Sequence, residues 1–250
     1  MIEARDIVKS FDGKQVLRGI SARFEPGKTN LVIGKSGSGK TVLLKILSGL
    51  LRPDAGAILF EGRNALQMST NTRRKMQQQV GMLFQNGALF DALTVLENVA
   101  FPLRHFSNMT PQQIQRRALE CLDRVELRDA AKLRTSDLSG GMCKRVAIAR
   151  AIALKPRYLF CDEPNSGLDP QTSVVIDALI HEITEEGHIT TIVNTHDMNS
   201  VLAIGDWIFF LHNGLLAWQG TNVEVLETDN EELNDFVFAT PMARRVKAAQ

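Results

Sequence analysis

Two short segments of this 250-residue chain carry residue types whose spacing could do chemistry on a phosphate. Gly34-Lys35-Ser36-Gly37-Ser38-Gly39-Lys40-Thr41 satisfies the pattern G-x-x-x-x-G-K-[ST] in full. Glycines at those places let successive backbone N–H groups turn inward around an anion without Cβ clashes. Lys40 would then reach the β- and γ-phosphates of a nucleotide, and Thr41 would put its hydroxyl on Mg²⁺. The second segment, Leu159-Phe160-Cys161-Asp162-Glu163-Pro164, runs apolar and then delivers two carboxylates together. Asp162 suits a Mg²⁺ held directly or through water, and Glu163 suits polarisation of an attacking water. Alone, the first could be a flexible Gly/Ser loop and the second a solvated turn after a core strand. Side by side they read as two halves of one nucleotide site.

Such a loop needs a strand before it and a helix after it. Residues 29–33 predict a short buried strand, and 41–51 show helical spacing through Leu44, Leu47 and Leu51. A strand over 158–161 would deliver the carboxylates at its carboxyl end, where open α/β sheets place ligands. Upstream, 4–11 and 16–24 flank the turn Asp12-Gly13 as a hairpin. Further strands are expected at 57–60, 81–84 and 189–193, and a late hairpin at 207–211 and 215–218 around Asn213-Gly214. Thr110-Pro111-Gln112-Gln113 is a helix start with an N-cap, a proline at the first position and Gln at the third, followed by the stripe Ile114, Ala118, Leu122, Val125. Another helix begins near Gly140-Gly141, and one runs around 172–184. The order is antiparallel strands, then βα units around a helical block, so the expected class is α/β. The reading places one domain over 1–220, with the helical block inserted at about 86–157, and a helical, polar tail over 221–250. In that tail the acidic run 229–235 predicts a solvated helix, and the basic end (Arg244, Arg245, Lys247) a disordered tip.

Composition excludes other classes. Apolar residues at 44% and charged residues at 23% are ordinary globular usage, neither disordered nor fibrous. Lys and Arg number 29 against 28 acidic residues, a net charge of +1, which argues against nucleic acid as a partner. Three widely spaced cysteines suggest a reducing compartment. The first six residues carry no secretory pattern, and no stretch is apolar for long enough to span a bilayer. A soluble chain is expected, with any membrane role reached through a partner.

The remaining motifs fall in a fixed order: Phe11 in the first hairpin, Gln85 after a strand, Leu138-Ser139-Gly140-Gly141-Met142 before a helix, Ser166-Gly167-Leu168-Asp169 after Glu163, and His196 ending another strand. From Phe11 to about Gly220 the chain closely resembles the ATP-binding cassette (ABC) ATPases. That resemblance implies a P-loop NTPase (RecA-like) core, an N-terminal antiparallel β subdomain and an inserted helical subdomain. It implies ATP and Mg²⁺, with adenine stacked on Phe11 and phosphates in the loop Gly34, Lys35, Ser36, Gly37, Ser38, Gly39, Lys40, Thr41. Mg²⁺ would be met by Thr41, Gln85 and Asp162, and catalysis carried by Glu163, His196, Gln85 and Lys40. Ser139, Gly140 and Gly141 would meet the γ-phosphate of ATP held by a second subunit, and Asp169 would cross the dimer interface. The assembly implied is a homodimer with two ATP molecules sandwiched. The role of His196 rests on this pattern, since a lone His after a strand is usually structural.

Two features narrow the resemblance. Met142 ends the signature where most cassettes carry Gln, and residues 87–103 look very like the matching region of the ATPase subunits of Mla-type phospholipid transporters. That group implies a motor subunit, peripheral on the cytoplasmic face of the bacterial inner membrane, moving phospholipid between inner and outer membranes. A multi-spanning permease would dock near residues 85–103, with further lipid-binding and regulatory subunits. Leu89, Phe90, Leu93 and Phe101 could line a groove for a partner helix, or pack the block's own core. The alternative is a cassette without a permease, such as an assembly factor for iron–sulfur clusters. Chromosome-type cassettes are excluded because only 53 positions separate Gln85 from Leu138, too few for a long coiled coil, and translation-type members carry two cassettes per chain. Asn165 departs from the family, where Thr, Ser or an aromatic is commoner.

Overall fold

The computed structural model describes residues 1–238, so the basic end of the tail lies outside the described residues. The opening hairpin forms as its pattern predicts, with β1 (Ile2–Phe11) and β2 (Lys14–Phe24) antiparallel around Asp12-Gly13. β3 (Lys28–Ile33) leads through the glycine-rich loop into α1 (Lys40–Leu47). β4 (Ala55–Phe60) and the two-residue β5 (Arg63–Asn64) complete a four-stranded antiparallel sheet, ordered β2-β1-β4-β5. α2 (Thr70–Gln77) and β6 (Val80–Leu83) follow. The helical block then comprises α3 (Val95–Phe106), α4 (Pro111–Arg124) and α5 (Gly140–Ala151). β7 (Tyr158–Asp162), α6 (Pro170–Gly187), β8 (Thr190–Asn194), α7 (Met198–Ile204), β9 (Trp207–His212) and β10 (Leu215–Gly220) return the chain to the core. α8 (Glu224–Glu227) and α9 (Glu231–Val237) close it.

The second sheet is ordered β10-β9-β3-β8-β7-β6, parallel from β6 to β9 with β10 antiparallel at the edge. Side chains alternate between its faces, as strand geometry requires. Leu31, Ile33, Leu159, Cys161, Val193 and Phe210 enter the core shared with the helical block. Val32, Tyr158, Phe160, Ile192, Phe209 and Leu211 enter the one shared with the antiparallel sheet and α1. Burial on both faces explains why these strands read as continuous apolar runs. It also places the loops after β3, β8, β7 and β6 side by side at one edge of the sheet, since adjacent parallel strands end on the same side.

α3 is a full helix of 12 residues, started by a capping box in which Thr94 accepts from Glu97 N–H and Glu97 answers the Thr94 N–H. Its Val95, Val99, Ala100 and Leu103 are buried against α4 and α5. α4 starts with the Thr110–Gln113 capping box the sequence announces. α9 departs from a solvated helix. Leu233 and Val237, four apart on one face, are buried in the main core, and the neighbouring Phe236 ring lies 5.6 Å from Phe210. The acidic side chains of the run take the outer face, which is why charge counting alone misses the contact.

Candidate functional site

The loop after β3 is shaped by its glycines. Gly34 has φ 148°, and a Cβ there would stand 2.3 Å from the Leu211 carbonyl oxygen, so no side chain fits. Gly39 has φ 105° and forms the N-cap of α1 without any side-chain cap. Among the described helices of eight residues or more, α1 alone starts uncapped; Ser69, Thr94, Thr110, Ser139 and Asp169 cap the others. Its first N–H groups are therefore left for an anion, at the positive end of the helix dipole. Lys40, only 6% exposed, folds back so that Nζ donates to the Gly34 carbonyl at 2.8 Å and the Lys35 carbonyl at 3.3 Å. Burial pushes its ammonium below the usual lysine range, against the pull of Glu163 and Asp162.

β7 brings its carboxylates to this loop. Thr41 Oγ1 donates to Asp162 Oδ1 at 3.0 Å, and Asn194 Nδ2, from the end of β8, donates to the same oxygen at 3.1 Å. Two buried oxygens nearby have no protein partner: Ser38 Oγ and Asn194 Oδ1. Unpaired polar atoms on a dry site cost free energy unless a ligand meets them. Thr41, Asp162 and these oxygens are hard donors, which suit Mg²⁺. No cluster of three or more His, Cys, Asp or Glu that could hold a metal occurs among the described residues. Mg²⁺ is commonly held this way, by one or two protein oxygens together with substrate phosphates. The residues present fit it.

Glu163 stands next to Asp162 but faces elsewhere, because its backbone adopts φ 46°. One carboxylate oxygen accepts from Gln85 Nε2 at 3.2 Å, and the other lies 3.3 Å from His196 Nδ1. Gln85 Nε2 also reaches Ser166 Oγ at 3.3 Å. The loops after β6, β7 and β8 thus converge on the Glu163 carboxylate, and the start of α1 and the end of β8 on that of Asp162. Lys40, Thr41, Gln85, Asp162, Glu163 and His196 form one constellation.

The other expected site residues lie apart from it. Ser139 caps α5 by accepting from Met142 N–H at 3.3 Å. Asp169 caps α6, accepting from Thr172 N–H at 3.0 Å and from Thr172 Oγ1 at 2.5 Å; the Thr172 bonds hold its carboxyl below the usual range. Gly141 is pressed against that same Thr172, whose Cγ2 would lie 2.6 Å from an added Cβ. Phe11, 43% exposed at the end of β1, offers a ring face with the Lys9 ammonium 5.4 Å from its centroid.

Sequence reasoning missed the residues that join these parts. Lys144, buried on α5, donates from Nζ to the Gln85 carbonyl, and Arg150 on the same helix donates to the Gly87 and Ala88 carbonyls at 2.6 and 2.7 Å. Burial lowers the pKa of both. Asn98 holds both backbone groups of Phe90. Lys144 and Arg150, two of the three cations among the small and apolar residues of α5, were the available signal.

A family model described as ABC transporter matches residues 17–166. The intermembrane phospholipid transport system ATP-binding protein MlaF of Haemophilus influenzae is 36% identical over 237 residues, spanning 95% of this chain and 90% of that protein. A methionine import ATP-binding protein of Pseudomonas savastanoi is 38% identical over 229 residues, spanning 90% of this chain and 68% of that protein. Among solved structures, a dimeric post-hydrolysis state of an ATP-binding cassette, bound to ADP and phosphate, superposes with a TM-score of 0.81 at 30% identity, covering 89% of this chain and 99% of that one.

Proposed function

The chain belongs to the ABC transporter family, and on that premise we propose that it is the motor subunit of a phospholipid transporter, bound peripherally at the cytoplasmic face of a bacterial inner membrane. It is an ATPase; the cargo, the partners and the residue roles are our reading. The observation that carries the cargo is the end-to-end match to the phospholipid-transport relative, at 95% of this chain and 90% of that one. The methionine-import relative is as similar in sequence but extends well beyond the matched region. Both relatives serve transport systems, which disfavours a permease-free assembly factor.

In this reading the loop Gly34–Thr41 cradles the β- and γ-phosphates, and Lys40 exchanges its loop carbonyls for phosphate oxygens. Mg²⁺ held at Thr41 and Asp162 would neutralise charge on those oxygens. Glu163 takes the proton of the attacking water as its oxygen bonds to the γ-phosphorus and the bond to the ADP oxygen breaks. Gln85 and His196, one on each carboxylate oxygen, aim Glu163 at that water. Phe11 stacks on the base. The exposed start of α5 (Ser139, Gly140, Gly141) completes the site of a second copy across a two-fold axis, with Asp169 between, so that two ATP molecules are sandwiched in a homodimer. A cassette of the same fold is dimeric with ADP and phosphate bound, which supports this arrangement.

No helix among the described residues is long and apolar enough to cross a membrane. The permease would meet the face where Phe90, 42% exposed, packs on Phe101 at 4.5 Å, with His105 at 4.4 Å beyond. Arg150 lies 5.9 Å from the Phe90 ring, so α5, whose start meets the partner's ATP, also holds the docking face. The test is purification of Glu163→Gln with ATP from detergent-solubilised membranes, with mass spectrometry of proteins and lipids. A multi-spanning permease carrying phospholipid is the expected result. A permease that carries methionine, or a soluble partner alone, would overturn the cargo.

A further inference from the structure

Asn165 is the residue of the Glu163–Asp169 segment that the chemistry above leaves unexplained. The segment starts under strain, because a glutamate at φ 46° does not hold that conformation unaided. On its strand side, Glu163 N–H is fastened to the Asn194 carbonyl at 3.0 Å. On its other side, Ser166 N–H returns to the Glu163 carbonyl at 3.1 Å, and Leu168 N–H to the Asn165 carbonyl at 3.1 Å. These bonds fold the turn on itself but attach it to nothing else. Gln85 reaches the segment at Glu163 and Ser166, and its attachment to α6 and α7 is the Asn165 side chain, whose Nδ2 donates to Asp177 Oδ1 on α6 at 2.8 Å and to Ser200 Oγ on α7 at 3.1 Å.

Both acceptors are deep, Asp177 being 4% and Ser200 1% exposed. A carboxyl buried so far must be served by donors, and Asn165 and Ser200 supply them. The side-chain amide oxygen of Asn165, Oδ1, also buried, has no partner. An amide kept at that cost is there for its two N–H groups. Thr or Ser, with one hydroxyl proton, could donate to only one of the two acceptors.

We infer that Asn165 is a positioning residue for hydrolysis: it ties the segment carrying Glu163 to the helix that Asp169 caps and to the helix that follows His196, and so holds Glu163 in register with His196. The inference rests on the reading that Glu163 and His196 serve hydrolysis. Asn165 stands two residues beyond Glu163 and Ser200 four beyond His196, so the Asn165–Ser200 hydrogen bond joins the two chain segments whose site residues make the 3.3 Å contact. Without it, β7 and β8 keep their pairing, but the loops beyond them lose their common anchor.

The test measures ATP turnover and ATP affinity in the full-length chain, assembled with its partner subunits, for Asn165→Ala, His196→Ala, Glu163→Gln and the Asn165→Ala/His196→Ala pair. A small misplacement of a catalytic group costs about ten- to a hundredfold in rate. Asn165→Ala should therefore lower kcat by about that factor while KM for ATP stays within about twofold, and the pair should be no slower than His196→Ala alone. Loss in KM together with kcat, a further drop on the His196→Ala background, or kcat equal to wild type would each overturn the inference. Should Asn165→Ala fail to fold, Ser200→Ala removes one acceptor of the amide together with the hydroxyl that serves Asp177, and leaves the Asn165–Asp177 bond in place. It should lower kcat several-fold with KM unchanged, and a wild-type kcat there would equally sink the idea. If Glu163→Gln and His196→Ala themselves turn over normally, the site reading has failed rather than the positioning role.

Discussion

Two glycine-rich helix starts in this molecule have opposite designs. At α1 the loop closes over its own space: Gly39 gives no side-chain cap, Lys40 is buried on loop carbonyls, and Thr41 is bonded to Asp162. At α5 the start is exposed, Ser139 already caps Met142 N–H, and the nearest neighbours of Gly140 and Gly141 are Leu168 and Thr172. The first is closely packed, with the buried Ser38 Oγ and Asn194 Oδ1 left without partners beside it. The second presents its remaining N–H groups outward. The same physics of helix termini fits the proposed roles, the first start as a phosphate cradle and the second as a surface that acts only when something is brought to it.

The strongest way to break the comparison is at the closed start. Lys40→Ala removes a buried ammonium placed for charge-assisted bonds, worth about 1.5–3 kcal/mol each. ATP affinity by calorimetry should fall about a hundredfold or more, with turnover at background. Glu163→Gln keeps the cradle and removes the base. Turnover should drop by about 10²- to 10⁴-fold while ATP affinity is retained; retained turnover would take Glu163 out of the mechanism.

Gly141→Ala probes the open start. Its methyl would meet Thr172 Cγ2 at 2.6 Å and cover the outward N–H groups. Loss of such a donor costs about 10²-fold in kcat, and the affinity of each chain for ATP should not change. Adding Thr172→Ser relieves the crowding, because the hydroxyl that bonds Asp169 stays; a kcat still depressed then reports on the N–H groups alone. Mixing Lys40→Ala with Gly141→Ala chains sharpens the contrast, since each mixed dimer would hold one intact composite site. Recovery of up to about a quarter of the wild-type rate is expected, since at most half the dimers are mixed and each holds one intact site of two; no recovery would mean that the two starts act within one chain. The smallest effect is expected at an ordinary helix start: Thr110→Ala should cost about 1 kcal/mol of stability in denaturant, with turnover per folded molecule unchanged.

What was legible in the sequence follows the range of the forces involved. The glycine-rich loop and the Asp162–Glu163 pair are contiguous, and their backbone geometry is set by their own residues, so type and spacing sufficed. The Thr110–Gln113 box, the strand alternation and the turns are equally local. α3 was harder to read because Pro102 lies inside it, where proline removes a backbone donor and usually weakens a helix. Thr94 and Glu97 were the local signal for its start. The burial of α9 was hidden because the acidic residues outnumber the apolar ones that dock.

The sequence by itself thus determined the α/β class, the order of its elements and the chemical types gathered for phosphate. Only the tertiary structure decided which distant residues complete each group. Thr41 meets Asp162 across 121 positions, Gln85 meets Glu163 across 78, and Asn165 meets Ser200 across 35. Those meetings depend on the strand order β3-β8-β7-β6, a choice made by burial of both sheet faces. The pattern of any single strand does not encode it, because β3, β7 and β8 are each buried on both sides.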